Sequence, residues 1–252
     1  MKKIVYYIAL CLVIIAGSSC SKLDNYPAPA ETLAGSVTDA TTNEAVQTEI
    51  GSGGTRIKLL EVSYSANPTP QYLNSRQDGT YTNTKIFAGK YIMSAEGPFV
   101  PLVLTNSEGD TVSNKSQTVQ VKGVTTVNFK VEPFIKIESV GAPVLNGDGT
   151  ISVQVKLTRG TTNADFQQNI TDAWLFVSNT QFDGNNNYDP RYSTQITYDG
   201  SAANAILGQT ITITTKGGQL PAKTDFFVRV GARIDYGLKQ YNYNAPQKVT
   251  TP

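Results

Sequence analysis

The feature that most constrains the fold of this chain is the alternation of Ile151, Val153, Val155 and Leu157 with Ser152, Gln154, Lys156 and Thr158. Apolar residues at every second position give an extended strand one dry face and one wet face. The period recurs where Val127, Phe129 and Val131 oppose Thr126, Asn128 and Lys130. Beyond Leu33 no stretch keeps the 3.6-residue apolar spacing of a helix for long. Short alternating strands separated by turn residues predict an all-β chain. Its 252 residues allow two tandem β-sandwiches of roughly 100 residues each.

In chain order, residues 34–38 read as a strand ended by a turn at 39–44, and residues 55–64 as a second. Ile57 and Leu59 share one face and Leu60, Val62 and Tyr64 the other, which predicts a bulge near Leu59-Leu60. Asn67-Pro68-Thr69-Pro70 opposes ladder bonding and reads as loop. Residues 80–87 are β-rich, Ala88-Gly89 turns, and residues 90–95 are expected back as a hairpin partner. Residues 97–101 form a stiff loop, and 118–121 and 124–131 close the first unit. Glu132-Pro133 marks the boundary, with 134–137 opening the second unit. Further strands are expected near 173–177, 195–198 and 210–215. The only tryptophan, Trp174, shares a strand face with Phe176 and is expected in the second core.

The start of the chain is different in kind. Lys2 and Lys3 precede an apolar run over residues 4–15, followed by Ala16-Gly17-Ser18-Ser19 and then Cys20. A charged start, a short apolar middle and a small-residue exit describe an export signal. The run is shorter than the roughly 20 residues a membrane-spanning helix needs. A cysteine directly after the small residues resembles the lipobox of bacterial lipoproteins. That resemblance implies cleavage of residues 1–19, acylation of Cys20 (palmitate among the chains) and anchorage to the outer membrane. Residues 20–31, with Pro27 and Pro29, then read as a tether.

Asp78-Gly79-Thr80-Tyr81, Ile86, Ala88-Gly89 and Tyr91, with Gly35, Val37 and Asp39 in the opening strand, resemble the transthyretin-like, carboxypeptidase-regulatory β-sandwich. Leu220-Pro221, Thr224-Asp225-Phe226, Val228, Val230 and Ala232 resemble the late strands of a fibronectin type III or immunoglobulin-like sandwich. Phe226 stands where that family places the tyrosine of its corner and lacks the hydroxyl. These matches assign residues 32–132 to a transthyretin-like domain and 133–252 to a fibronectin III/Ig-like domain. Taken in order, the chain is similar to the uncharacterised two-domain lipoproteins of Bacteroidetes encoded beside Sus-type (starch-utilisation-like) glycan importers. The resemblance implies a cell-surface accessory with a polysaccharide, the transporter and its binding lipoprotein as partners. A scaffolding spacer for protein–protein contact or adhesion is the alternative.

Composition excludes several chemistries. With no histidine, a Ser-His-Asp triad, a Cys-His pair and His-ligated zinc are ruled out. Cleavage before Cys20 leaves 19 basic against 20 acidic side chains, offering no strong field for nucleic acid and no basic face for anionic lipid. Nothing places Asp78 at glycosidase distance from Glu96 or Asp110. The expected protein is non-enzymatic and takes no cofactor.

Two constellations remain. Sugars are held by aromatic faces with amide, carboxylate and guanidinium partners. Asn186, Tyr188, Arg191, Tyr192, Tyr236, Tyr241 and Tyr243 are therefore candidate glycan contacts, with half-buried sheet packing as the competing reading of the tyrosines. Asp183, Asn185, Asn187 and Asp189 alternate oxygen ligands as Ca²⁺ loops do, yet Tyr188 stands where an EF-hand has glycine and no glutamate closes the loop. A plain turn-rich loop is the reading set against the metal.

Overall fold

The computed structural model describes residues 27–252. The signal-like run, Cys11, Cys20 and the tether as far as Tyr26 lie outside the described residues. No described helix is long and apolar enough to cross a membrane. The chain folds as two tandem β-sandwiches, the all-β class expected from its periodicity.

The first domain contains β1 (Glu31–Asp39), β2 (Arg56–Glu61), β3 (Gln71–Asn74), β4 (Thr80–Ile86), β5 (Gly89–Glu96), β6 (Val103–Thr105), β7 (Thr111–Asn114), β8 (Gln117–Val121), β9 (Val124–Thr126) and β10 (Phe129–Val131). One sheet is built on β1, which pairs antiparallel with β4 and parallel with β9 and β10. The other runs β3-β2-β5-β8, and β6-β7 form a separate hairpin. Leu33, Val37, Ile57, Leu59, Met93 and Phe129 fill the space between the sheets, none more than 1 % exposed. The Tyr81 hydroxyl donates to the Val127 carbonyl at 2.6 Å inside that core.

Two local expectations are corrected. β4 and β5 do not form a hairpin: β4 pairs with β1, whereas β5 pairs with β2 and β8. Residues 87–88 therefore carry the chain from one sheet to the other. The bulge at Leu59-Leu60 is absent, since β2 pairs with β5 in unbroken register from Arg56↔Glu96 to Glu61↔Tyr91. Leu60 simply points outward, into an apolar groove roofed by β6, β7 and residues 236–240.

The second domain contains β11 (Ile135–Ser139), β12 (Val144–Leu145), β13 (Ile151–Arg159), β14 (Ile170–Ser178), β15 (Thr194–Thr197), β16 (Thr210–Thr214), β17 (Asp225–Ile234), β18 (Asn242–Tyr243) and β19 (Gln247–Thr250). β13 joins β11, β12 and β16 in one sheet, and β14 and β17 carry β15, β18 and β19 in the other. The alternating residues Ile151, Val153, Val155 and Leu157 all point into the core, where they meet Ala173, Leu175 and Val177 of β14. Phe226 packs edge-on against Tyr192, with ring centroids 6.0 Å apart.

Strand direction gives the first domain two unlike poles. At one, β1 begins beside the 87–89 and 122–123 turns. At the other, Asp39, Thr48, Glu49, Gln77 and Pro98 meet the second domain. The junction is polar and specific: Lys136 pairs with Asp39 at 2.7 Å, and Asn242 donates to the Pro98 carbonyl at 2.8 Å while accepting from the Ile135 amide. Gln240 adds donation to the carbonyls of Gly53 and Gly54.

Candidate functional site

β14 decides the geometry of the second domain's outer face. Its run Ala173-Trp174-Leu175-Phe176-Val177 is apolar throughout, so periodicity leaves open which side is inward. The structure turns Ala173, Leu175 and Val177 into the core, each fully buried, and sends Asp172, Trp174 and Phe176 to the opposite face. Trp174 is thus not a residue of the inter-sheet core, correcting the expectation from bulk. It lies flat on Phe176, ring centroids 5.4 Å apart and planes 3° apart, with Tyr188 at 5.3 Å. Gly231 lies opposite it on β17. A Cβ at Gly231 would stand 2.8 Å from both Phe176 and Tyr243, so the rings close over the strand only because no side chain is there.

Part of this face is covered by the first domain. Arg229 donates to the Thr48 carbonyl at 3.0 Å, and Tyr243 to the Glu49 carboxylate at 3.2 Å. The Asn186 amide N–H also donates to Glu49, and its side chain donates to the Ile50 carbonyl. Trp174 and Tyr188 remain half-buried. The Trp174 indole N–H has no partner among the described residues and is open to solvent.

Polar groups flank the tryptophan along the strand. Toward Asp172 lies a depression of about 450 Å³ lined by Asp172, Gln195, Thr197, Tyr198, Arg233 and Asp235. Gln195 is the direct register partner of Trp174. Asp172 accepts from Arg233 Nε at 2.6 Å, from Gln195 at 2.9 Å, from Thr171 at 2.8 Å and from the Tyr241 hydroxyl. Burial alone would raise the Asp172 carboxyl, but these donors outweigh it and hold it below the usual carboxylate range. Toward Ser178 lies a depression of about 540 Å³ with Asn179, Asn187, Tyr188, Asp189 and Arg191 on its walls. There Arg191 grips Asp189 at 2.7 and 3.0 Å while keeping 73 % of its side chain exposed. From Asp172 to Ser178 the strand runs about 20 Å, and of its residues on this face only Trp174 is half-exposed, Asp172, Phe176 and Ser178 being buried.

The sequence-derived candidates divide among different places. Tyr188, Arg191 and Tyr192 come together, with Tyr192 buried beneath the Arg191 guanidinium at 5.2 Å. Tyr241 and Tyr243 are buried, their hydroxyls spent on Asp172 and Glu49. Asn186 is a domain clamp. Tyr236 packs edge-on against Phe134 and Phe166, away from this strip. Of the alternating oxygen ligands, Asp183 faces Arg229, Asn187 donates to Thr180 and the Phe182 carbonyl, Asp189 is held by Arg191, and the Asn185 amide N–H donates to Tyr243. Among the described residues no group of three His, Cys, Asp or Glu gathers to hold a metal. Missed from sequence were Trp174, Gln195, Arg233 and Asp172. The register that brings them together is a property of the folded sheet.

Residues 31–132 match the family described as "Protein of unknown function (DUF3823) N-terminal domain", and residues 135–248 the "Domain of unknown function (DUF3823_C)". The chain belongs to the DUF3823 family. A DUF3823 family protein from Bacteroides uniformis is 35 % identical and superposes with a TM-score of 0.83, over 89 % of this chain and 100 % of that one. A DUF3823 protein from Parabacteroides merdae is 22 % identical, with a TM-score of 0.64 over 89 % of this chain and all of the other. A second B. uniformis structure, described as a "putative carbohydrate binding protein", is 22 % identical, with a TM-score of 0.66 over 88 % of this chain and 99 % of that one. No curated protein matches the chain.

Proposed function

We propose that this DUF3823 protein is a non-enzymatic, lipid-anchored glycan-binding accessory of a Sus-type importer at the outer-membrane surface. The observation that carries the reading is Trp174. A partly exposed indole with an open N–H lies between two polar depressions, with Gln195, Arg233 and Tyr188 beside it. An aromatic face stacks on the C–H surface of a sugar, and planar amide and guanidinium groups take its hydroxyls. A protein of the same fold bears the description of a carbohydrate binder, which agrees with this reading. The anchor and the importer setting rest on the Cys20 lipobox and on the family resemblance of the sequence.

Trp174 is the chain's only tryptophan, so its emission reports on the site directly. Titration with the recognised polysaccharide should shift that emission. Trp174→Ala should weaken retention in affinity electrophoresis by about tenfold or more, as loss of an aromatic anchor does. Unchanged emission across broad polysaccharide panels, with equal retention of the variant, would remove direct sugar binding.

One observation favours a second reading, a scaffold. The groove of about 600 Å³ between the domains is lined by Leu60, Ile92, Phe99, Val103, Phe134 and Leu238. Leu238 is 82 % exposed and Val103 39 %. Capture of importer subunits that is lost in Leu238→Asp and indifferent to sugar would favour it.

A further inference from the structure

We propose that the pole of the first domain at which β1 begins is a membrane-contact surface, seated at the headgroup–acyl boundary of a phospholipid bilayer. The inference rests on the lipid anchor proposed above, and adds to it a protein face that lies against the lipid.

Backbone pairing gathers several turns at this pole. Glu31 pairs with Ile86 and Thr32 with Val124, while the Thr32 amide N–H donates to the Gly123 carbonyl at 2.9 Å. Gly89 pairs with Val121. The Val62 amide N–H donates to the Lys90 carbonyl, the Lys90 amide N–H to Ser63 Oγ, and the Tyr91 hydroxyl to the Phe87 carbonyl. The start of β1 and the 62–64, 87–89 and 122–124 segments therefore share one end of the sandwich.

What they expose is apolar and basic. Phe87 is 46 % exposed, Tyr64 63 % and Val124 79 %. Lys85, Lys90 and Lys122 are exposed alongside them. Of the neighbouring acids, Glu31 accepts from the Gly123 amide N–H and Glu61 from the Ser63 amide N–H. Single exposed apolar side chains are ordinary. Aromatic and aliphatic groups accompanied by lysines at one pole have the composition of an interfacial membrane contact. Lysine stems lie along such a surface while their ammonium groups meet phosphate. Three lysines against two glutamates leave this pole an excess of one positive charge.

Chain connectivity selects bilayer lipid as the occupant. Seven residue steps separate Cys20 from Pro27, a reach of at most about 25 Å. An acylated Cys20 would thus tether the chain at this pole, the end from which β1 enters the sandwich.

The test uses the mature lipidated chain in phospholipid vesicles with brominated acyl chains. Phe87→Trp in a Trp174→Phe background places the only indole at this pole, and the native chain keeps it at Trp174. Emission from the Phe87→Trp reporter should fall by about twofold or more, with Trp174 in the native chain unaffected. Adding Tyr64→Ser and Val124→Ser to the reporter should abolish the quenching. Co-sedimentation reads the anchor separately. A chain that sediments without quenching at position 87 overturns the contact surface and leaves the anchor standing. One that neither sediments nor quenches overturns both, and quenching at both positions equally would replace a specific face with general adsorption.

Discussion

Two Arg–Asp–Tyr groups lie on the same face of the same sheet, and they behave as opposites. Arg233 and Arg229 both project from β17, the first over the Tyr241 ring at 4.5 Å and the second over the Tyr243 ring at 3.8 Å. Arg233 meets Asp172 at 2.6 Å, remains 29 % exposed, and shares a carboxylate that other donors also satisfy. Arg229 meets Asp183 at 3.6 Å, with both side chains at 1 % exposure or less. There Arg229 Nε and Asp183 Oδ2 have no hydrogen-bond partner among the described residues. Burial lifts the Asp183 carboxyl to about 7 despite Arg229, lowers the Arg229 guanidinium, and raises Glu49 beside them. Asp172, with its full set of donors, moves the other way. A charge pair at the rim of a site keeps its charges because water and hydrogen bonds remain. The same pair closed into a domain junction keeps its guanidinium charged, while burial moves the carboxyls toward protonation.

The sharpest way to break this contrast is to remove each arginine in turn. Arg229→Met leaves Asp183 and Glu49 buried without their cation and should cost about 3–5 kcal/mol in urea unfolding. Arg233→Met leaves Asp172 with its remaining donors and some access to water, and should cost about 1–2 kcal/mol. Equal losses would show that the junction pair is no more enclosed than the rim pair.

Acid titration sharpens the comparison through opposite signs. Because the folded Asp183 value exceeds its unfolded one, the fold holds that proton more tightly than the unfolded chain does. Its stabilising contribution is complete below pH about 4 and is lost as pH rises toward about 7. The stability of the native chain relative to Asp183→Asn should therefore fall across that window. Asp172 has a lowered value, so its contribution is present above pH about 4 and is lost as pH falls further into acid. The advantage of the native chain over Asp172→Asn should shrink there. Parallel slopes for the two variants would contradict the assignment.

The same contrast explains what the sequence could and could not disclose. β13 was legible because Ser152, Gln154, Lys156 and Thr158 mark its wet side without ambiguity, and the alternation of Val127, Phe129 and Val131 was equally clear. β14 has no such markers, and bulk pointed Trp174 inward when the core had room for Ala173, Leu175 and Val177 instead. The 87–89 turn looks the same in sequence whether it closes a hairpin or crosses between sheets, since both need only a short break between alternating runs. Glu49 carried no local signal, and Asp183 read only as one of the alternating oxygen ligands of a Ca²⁺-type loop. Their shared environment exists only once one domain docks on the other, so the tyrosines beside them read as ligand contacts when Tyr243 is a partner of Glu49.

Gly231 offers the mildest test and links the two halves. It stands between Arg229 and Arg233 on β17, under the rings of Phe176 and Tyr243. Gly231→Ala introduces one methyl group where 2.8 Å separates its carbon from either ring, so the rings must move or the strand must bow. The expected cost is about 1–3 kcal/mol, the range for an overpacked methyl group. Phe176 is also the surface on which Trp174 lies, at 5.4 Å, so a displaced Phe176 tilts the indole. Glycan affinity should therefore fall alongside stability in this variant, whereas Arg229→Met should reduce stability and leave affinity in the remaining folded fraction near that of the native chain. If Gly231→Ala loses stability but binds glycan as the native chain does, the platform does not depend on the packing beneath it, and the two halves of the face are independent.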